Sequence, residues 1–341
     1  MLKSIDINNL LCNELHNLSN IQSPVNNKLI IDCNLADIKK ICQSYGFTTL
    51  LSESKSQTKL GKTEKELNIL TYGLSLAPFT LNGVKEFSNN LKQLLKYDIS
   101  NSLITLCSNS SVSCRNNCVI WNSGNPAYQD AKQNAMIKRV RFLLDNPLLF
   151  IACVLRLLEL KKEYCFKNNY IMSYRGNIAS DIKYESIRVN YNQFLNVSIS
   201  DIFYKFIQET TNKAYMKPYD YTKHYDRIPT NNYHFIYSVH DLDDKKLSKA
   251  YNNGLSLAIV IDTPANKEKP KFMTLDIDNK QITLPCVDGD KHDHLPTHLK
   301  DVDNKQHIVL LSFKYKAVDK KETRIKKINN AILNGFVRQV A

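Results

Sequence analysis

"PLLFIACVLRLLELKKEYCFKNNYIMSYRGN" occupies residues 147–177 and contains the change from helix to strand that decides the fold class. A proline disfavours helix at the residue before it, so two helices should be separated at Asn146–Pro147. The apolar run is shorter than a membrane span and Arg156 interrupts it, which predicts a buried helix. The following "YIMSYRGN" is typical of a strand, and it ends in the polar residues Arg175 and Asn177.

Strands and helices alternate along the rest of the chain. Strands are predicted at residues 67–78, 170–177, 214–223, 233–241, 255–263, 282–290 and 307–316. Helices are predicted at residues 34–47, 126–145, 147–165, 198–212, 243–254 and 321–340. This alternation predicts an α/β fold with a mostly parallel, partial (β/α) barrel-like sheet. The predicted domains are an N-terminal helical extension (1–60), the α/β domain (61–317) and a basic C-terminal helix (318–341).

Polar residues fall at the carboxyl ends of several predicted strands. They are Arg175 and Asn177, Tyr221 to Lys223, His240 and Asp241, and Asp288 to Asp290. Barrels and open α/β sheets build their binding sites at this edge. The sequence therefore predicts that these residues share one rim.

The composition is that of a globular and basic protein. Hydrophobic residues make up 43% of the chain, aromatic residues 9%, and the formal net charge is +13. The N-terminal residues contain no signal-peptide pattern, so we expect a soluble cytoplasmic protein without membrane contact. The charge favours contact with nucleic acid, because Lys and Arg neutralise phosphates. An A+T-rich coding sequence, which enriches Lys, Asn and Ile, explains the same charge equally well.

Three of the nine cysteines lie in "CSNSSVSCRNNC", residues 107–118. Cys107, Cys114 and Cys118 are spaced C-x6-C-x3-C in a segment that we expect to be an ordered loop. In a reducing compartment, clustered thiols favour metal or redox chemistry. Three thiolates can ligate a [4Fe–4S] cluster, hold a structural Zn²⁺ with a fourth ligand from elsewhere, or bind no metal. The polar composition of the segment favours a metal or a cluster.

The segment "YRGNIASDIKYE" (174–185) follows a predicted strand. If a helix begins at Ser180, Asp181 and Glu185 share one face of it. Alternatively, Ser180 and Asp181 only cap that helix.

Two later segments are also rich in ligand-binding residue types. "PYDYTKHYDRI" (218–228) interleaves aromatic and cationic residues, which suits stacking on bases and contact with phosphate, although surface loops of basic proteins have the same composition. "CVDGDKHDHLPTH" (286–298) contains many metal-ligand types, but Asp-Gly favours a turn, and a metal is the less favoured interpretation. The chain contains no P-loop, GxGxxG, GxSxG or HExxH motif.

In order along the chain, these segments resemble the phage family Gene product 88 over residues 57 to 317. The resemblance rests on "KLGKTEKELNILTYGLSLAPFTLNG", the cysteine segment with Gly124, R-x-N-x-x-S-D at residues 175–181, "YDYTK" from Tyr219, "NYHFIYS" from Asn232 and "DGDKHD" from Asp288. The layout also resembles that of radical S-adenosylmethionine enzymes, which have a cysteine loop after the first strand. Those enzymes use C-x3-C-x2-C, so the likeness is one of fold.

The resemblance implies an iron–sulfur enzyme that uses a [4Fe–4S] cluster and S-adenosylmethionine on nucleic acid or another anionic substrate. The metal ligands would be Cys107, Cys114 and Cys118, and the cofactor-binding residues Arg175, Asn177 and Ser180. The catalytic residues would be Asp181, Asp288 and Lys223, and the substrate-binding residues Tyr221, Arg227 and His240. One alternative is a non-catalytic nucleic-acid-binding protein of phage replication or host takeover, with a structural zinc at the same cysteines. The other is a metal-free interaction protein.

Overall fold

A computed structural model describes most of the chain as two compact units. The described residues are 3–6, 16–53, 67–78, 102–122, 129–211, 216–240, 243–291, 294–303, 305–315 and 319–339. Unit 1 comprises Met1–Ser108 and Lys132–Pro218, and unit 2 comprises Asn109–Ala131 and Tyr219–Ala341. The boundary at Ser108 falls inside the cysteine segment.

Strands and helices alternate as predicted. The strands are β1 (Lys3–Asp6), β2 (His16–Asn17), β3 (Leu51–Glu53), β4 (Ile69–Leu74), β5 (Ser102–Thr105), β6 (Ile171–Arg175), β7 (Arg188–Tyr191), β8 (Phe194–Ser198), β9 (Tyr219–Thr222), β10 (His234–Ser238), β11 (Ser256–Ile261), β12 (Phe272–Ile277), β13 (Lys280–Asp288) and β14 (Ile308–Ser312). The helices are α1 (Leu35–Ser44), α2 (Val112–Asn116), α3 (Val119–Asn122), α4 (Gln129–Asp145), α5 (Pro147–Lys167), α6 (Ile199–Thr211), α7 (Asp244–Asn252), α8 (Leu295–Asp301) and α9 (Lys321–Leu333). The mixed α/β class is thereby confirmed.

The predicted separation of two helices at Asn146–Pro147 is confirmed. α4 ends at Asp145 and α5 begins at Pro147. The Asn146 side chain caps α5 by accepting a hydrogen bond from the Leu149 N–H at 3.1 Å, and proline is suited to the first helical position because it lacks an N–H. The first half of α5 is largely buried. In the described part of the chain, no helix is long and apolar enough to cross a membrane.

In unit 1, β6, which ends at Arg175, belongs to a three-stranded sheet with β3 and β4. β4 and β6 are parallel, with Gly73 opposite Arg175, and β3 is antiparallel to β4. Tyr174 of β6 packs edge-on against Phe203 of α6, with ring centroids 4.6 Å apart, and Tyr184 contacts the same ring at 5.3 Å. Such aromatic pairs contribute about 0.5–1.5 kcal/mol beyond their burial, so they hold β6 against α6.

The chain after Asn177 differs from the predicted arrangement, because no helix begins at Ser180. A 3₁₀ turn at Tyr184–Ser186 is followed instead by a hairpin of β7 and β8, which the sequence did not predict. The Asn177 side chain bonds both the N–H and the C=O of Ile182. The Ile182 carbonyl is one of the acceptors that a helix starting at Ser180 would need.

Unit 2 contains a six-stranded sheet in the order β12-β13-β14-β11-β10-β9. Neighbouring strands are parallel except for β12 and β13. One face is covered by Leu295 of α8, which packs on Tyr219, Ile236, Ala258 and Val309. The mostly parallel sheet is confirmed, and no closed barrel is found among the described strands. The sequence did not predict β12 or α8.

In two segments the secondary structure differs from the prediction. The cysteine segment contains the short helix α2, and α3 follows it directly, where an ordered loop was expected. The basic helix α9 ends at Leu333, since Gly335 follows with φ +69°, a backbone conformation that favours glycine. The prediction of helix to Val340 is wrong for residues 334–339, which are not helical, and Val340 itself lies outside the described residues.

Candidate functional site

Polar residues lie at the carboxyl ends of strands, as the sequence predicts, but these strands belong to two different sheets. Arg175 ends β6 in unit 1, whereas Tyr221, Lys223, His240 and Asp288 lie at or just beyond the carboxyl ends of strands in unit 2. β6 and these later strands belong to separate sheets.

In unit 1, a loop of residues 175–182 follows β6, and the Asn177 amide holds it. Asn177 Oδ1 accepts hydrogen bonds from the Ile182 N–H and the Ser180 hydroxyl, both at 2.8 Å. Asn177 Nδ2 donates to the Ile182 carbonyl at 3.0 Å. Both side chains are buried. These bonds give Asn177 and Ser180 a role in shaping the loop, and the predicted binding of a cofactor by them stays a prediction.

Cys107 lies directly against this loop. The Asp181 N–H donates to the Leu106 carbonyl at 2.7 Å, and the Cys107 thiol contacts the Ala179 carbonyl at 3.5 Å. The Cys107 N–H in turn donates to Thr105 Oγ1 at 3.0 Å. Two segments that the sequence treats as separate motifs are thus joined within unit 1, at the carboxyl end of β6.

A glycine in β4 allows the loop to fold over the end of the sheet. A Cβ on Gly73 would lie 2.4 Å from Ile178 Cδ1 and 3.1 Å from the Arg175 carbonyl oxygen. The Ile178 N–H donates to the Leu74 carbonyl at 3.1 Å, which holds the loop in that place. Asp181 is buried here, whereas Arg175 is only half-buried.

The rest of the cysteine segment is ordered by its own polar side chains. Ser111 Oγ accepts a hydrogen bond from the Cys114 N–H at 3.0 Å and so caps α2. Asn109 Nδ2 and His224 Nδ1 are 2.9 Å apart, which ties the segment to the residues just after β9. Cys114 and Cys118 are half-buried.

The cysteines fall into two chemical environments. Burial raises the pKa of Cys42 to about 12 and that of Cys165 to about 11, so these core thiols stay protonated at neutral pH. Cys107, Cys114 and Cys118 are instead half-buried. Cys286 is also half-buried, but burial raises its pKa to about 12. None of the eight described cysteines forms a disulfide. Among the described residues, no group of three or more His, Cys, Asp or Glu side chains is arranged to hold a metal.

In unit 2, Lys223 connects the ends of two neighbouring strands. Its ammonium donates to the carbonyl and to the hydroxyl of Ser238, each at 2.9 Å. His240 Nδ1 lies 3.1 Å from the same carbonyl, and the ring is 3% exposed. Lys223 and His240 therefore meet at Ser238, at the carboxyl ends of β9 and β10.

The two other residues assigned to substrate are largely internal. Arg227 is 3% exposed, and its guanidinium carbon lies 3.8 Å from the centre of the Phe235 ring. Tyr221 packs against the apolar cluster under α8. These contacts hold the 218–228 segment to the sheet, and substrate binding by either side chain stays a prediction.

Asp288 belongs to a chain of ion pairs at the ends of β13 and β14. Lys269 donates to Asp288, to Asp290 and to the Leu310 carbonyl, and Asp290 also accepts from Lys314 at 2.7 Å. Asp290 further accepts from the Ser312 N–H at 2.8 Å. Burial raises the pKa of Asp290, but the two lysines and Ser312 outweigh it and hold that pKa well below its usual range.

Sequence reasoning missed Lys269, Lys314 and the role of Gly73. Lys269 lies 19 residues before Asp288, in a loop without any motif, so no local pattern could pair them. Of the ligand types noted in 286–298, His294 and His298 are buried, and residues 292 and 293 lie outside the described residues.

Comparison with known proteins identifies one family. A family model described as Gene product 88 matches residues 50–327, which is more than half of the chain. The match contains both the 175–182 loop and the ion pairs around Asp290. No curated protein matches the chain, and no solved structure does.

Proposed function

The chain belongs to the Gene product 88 family, and we propose that it is a phage metalloenzyme whose Cys107, Cys114 and Cys118 bind a [4Fe–4S] cluster. The observation that carries this proposal is the contact between the Cys107 thiol and the loop of residues 175–182. That contact brings the first cysteine against the loop that contains Arg175, a half-buried cation, and Asp181, a buried carboxylate, next to the carboxyl end of a parallel strand. Sites in α/β proteins are commonly built at such ends.

The donor set fits a cluster in its chemistry. None of the three thiols is in a disulfide. All three are half-buried, whereas the thiols of Cys42 and Cys165 are fully buried. Because the described residues contain no preformed group of three ligands, binding would have to assemble the site, as metals often do in ligand-rich segments. A cluster with three cysteine ligands leaves one iron open to S-adenosylmethionine, which would supply the chemistry.

The residues of the chain would bind and position the reactants. Arg175 is the half-buried cation at the start of the loop that Cys107 contacts, and its guanidinium would hold the carboxylate of the cofactor by charge-assisted hydrogen bonds. Asp181 would serve as an acid/base group on the same loop. In unit 2, the half-buried Lys223 would face an anionic substrate, for which nucleic acid is the leading class given the net charge of +13.

The test is anaerobic purification followed by an absorption spectrum and metal analysis. Wild type should be brown and contain iron, and Cys114→Ser should lose both. Cys286→Ser is the matched control, since Cys286 is also half-buried but lies outside the segment, and this variant should keep the colour. Colourless protein without iron, or a cluster lost equally in both variants, would contradict the proposal.

A second candidate is a non-catalytic nucleic-acid-binding protein with a structural zinc at the same cysteines. The observation that favours it is α9, where Lys321, Arg324 and Lys326 are exposed while Ala331 packs inward. Exposed cations of this kind neutralise phosphates and make binding salt-dependent.

This candidate predicts stoichiometric zinc, no colour, and affinity for nucleic acid that falls steeply with salt. Lys321→Gln combined with Lys326→Gln should reduce the salt dependence of binding. Lys280→Gln, at the exposed first residue of β13, should not change it. Equal effects of both sets of substitutions would remove α9 as the binding surface.

A further inference from the structure

The ion pairs at the ends of β13 and β14 form a chain of alternating charges. The order is Asp288, Lys269, Asp290 and Lys314. The two inner side chains are buried, with 3% of Lys269 and 4% of Asp290 exposed, whereas 20% of Asp288 and 32% of Lys314 are exposed. The inner pair is therefore closed off from solvent, and the two ends are accessible.

Both ends have hydrogen-bonding capacity left over. Asp288 Oδ1 accepts from Lys269 and from the Asp290 N–H, whereas Oδ2 accepts no hydrogen bond from any described residue. Lys314 donates only to Asp290 Oδ1 within the described part of the chain, so two of its three N–H donors remain. The inner pair thus fixes one oriented carboxylate oxygen and one oriented ammonium at the same sheet edge.

The inner ion pair is poorly explained by stability alone. Removing two charges from water costs several kcal/mol per ion, and well-packed apolar residues of similar volume often stabilise a protein as well or better. Buried charge networks at the carboxyl edge of a parallel sheet are instead typical of functional sites. Through their ion pairs, the buried Lys269 and Asp290 position the side chains of Asp288 and Lys314.

We propose that Asp288 and Lys314 bind a ribose phosphate, either free or as part of a nucleotide. A ligand that engages both ends needs hydrogen-bond donors at one end and an anionic group at the other. Ribose hydroxyls donate to a carboxylate, and a lysine ammonium donates to phosphate. Asp288 accepts from the ribose hydroxyls, and Lys314 contacts the phosphate. This assignment lies in unit 2 and does not depend on any metal at the cysteines.

The test is calorimetric titration of the full chain at fixed ionic strength. The ligands are adenosine 5′-monophosphate, adenosine, ribose 5-phosphate, inorganic phosphate and 2′,3′-dideoxyadenosine 5′-monophosphate. Wild type should bind both ribose phosphates, and it should bind the dideoxy nucleotide about tenfold more weakly, the loss expected for one charge-assisted hydrogen bond. Ribose 5-phosphate binding as tightly as the nucleotide would identify the sugar phosphate as sufficient, and tighter nucleotide binding would show that the base adds contacts.

Two variants assign the ends. Lys314→Gln should weaken binding of ribose 5-phosphate about tenfold, while Lys267→Gln, which makes the same charge change at an exposed position in unit 2, should leave binding unchanged. Asp288→Asn should remove the preference for the ribonucleotide over the dideoxy nucleotide. If Asp288→Asn fails to fold, the ligand series with wild type and Lys314→Gln still decides. Equal binding of the ribo and dideoxy forms by wild type, equal losses in Lys314→Gln and Lys267→Gln, or binding of no ligand would overturn the proposal.

Discussion

The loop of residues 175–182 in unit 1 and the turn Asp288–Asp290 in unit 2 both fold over the end of a parallel strand pair, but different interactions hold them. A glycine permits the close approach in each case: Gly73 faces Ile178 in unit 1, and a Cβ on Gly289 would lie 2.5 Å from Val309 Cγ1 in unit 2. The first loop is held by the neutral amide of Asn177, and the second by buried ion pairs.

This difference predicts how the stability of each region responds to substitution and to pH. The Asn177 hydrogen bonds join residues at most five positions apart, and removing them leaves a buried backbone group without its partner. The Lys269–Asp290 ion pair joins residues 21 positions apart, and removing one partner leaves an uncompensated charge. The unit 2 turn should therefore be the more sensitive to substitution of its support and to pH.

Lys269→Met should give the largest loss of stability, about 3–5 kcal/mol, because it leaves Asp290 buried beside a single remaining lysine. Lys271→Met is the control, since that side chain is exposed two residues away. Urea unfolding measures the loss, and hydrogen exchange should locate it in β13 and β14 rather than in β6. Equal stability of the two variants would show that Lys269 does not support the turn.

Asn177→Ala should cost about 2–3 kcal/mol, since the Ile182 N–H and carbonyl both lose a buried partner. Hydrogen exchange should increase at Ile182 and leave the Asp288–Asp290 turn unchanged. Asn168→Ala removes an exposed asparagine that donates to the Tyr164 carbonyl, and should change stability by less than about 0.5 kcal/mol. If the two variants are indistinguishable, Asn177 does not hold the loop.

The same contrast explains what the sequence could predict. The separation of helices at Pro147 and the strands on either side depend on local rules, so they could be predicted correctly. Asp288 and Asn177 could be selected as candidate site residues, because both lie in polar motifs at strand ends. Their partners could not be found equally well: Ile182 is five residues from Asn177, but Lys269 is 21 residues from Asp290 and lies in a loop without a motif.

The type of a residue alone also does not show whether its side chain binds a ligand or holds the neighbouring backbone. Asn and Ser at a strand end suit a ligand's hydroxyl groups, and they suit a backbone N–H equally well. At Asn177 and Ser180 the backbone and the neighbouring side chain use this capacity. The short spacing of the three cysteines, in contrast, is visible in the sequence itself, and only metal analysis tests its meaning.

Gly289→Ala should cost about 1–3 kcal/mol, because the added Cβ would lie 2.5 Å from Val309 Cγ1 and 2.7 Å from Leu311 Cδ2. Gly254→Ala is the steric control, since no atom lies within 4 Å of its Cβ and only the strained φ of +83° opposes it. If the substitution acts on the turn, ribose phosphate binding should weaken in Gly289→Ala and stay unchanged in Gly254→Ala. Thermal unfolding together with calorimetry measures both effects.

The smallest effect expected is the dependence of stability on acid. The pKa of Asp290 is held well below its usual range by Lys269, Lys314 and Ser312 against the opposing effect of burial, so folding favours the ionised form. The stabilisation is complete above the unfolded pKa of about 3.9 and is lost as pH falls below it. Between pH 7 and pH 4 the loss from this one group should stay below about 1 kcal/mol, and it should exceed 1 kcal/mol only near pH 3.

Asp290→Asn should start less stable and lose less on acidification, whereas Asn177→Ala should keep the wild-type acid dependence because the loop of unit 1 is held by neutral groups. Urea unfolding at several pH values measures these slopes, and an acid slope unchanged by Asp290→Asn would mean that the ion pairs do not distinguish the two regions.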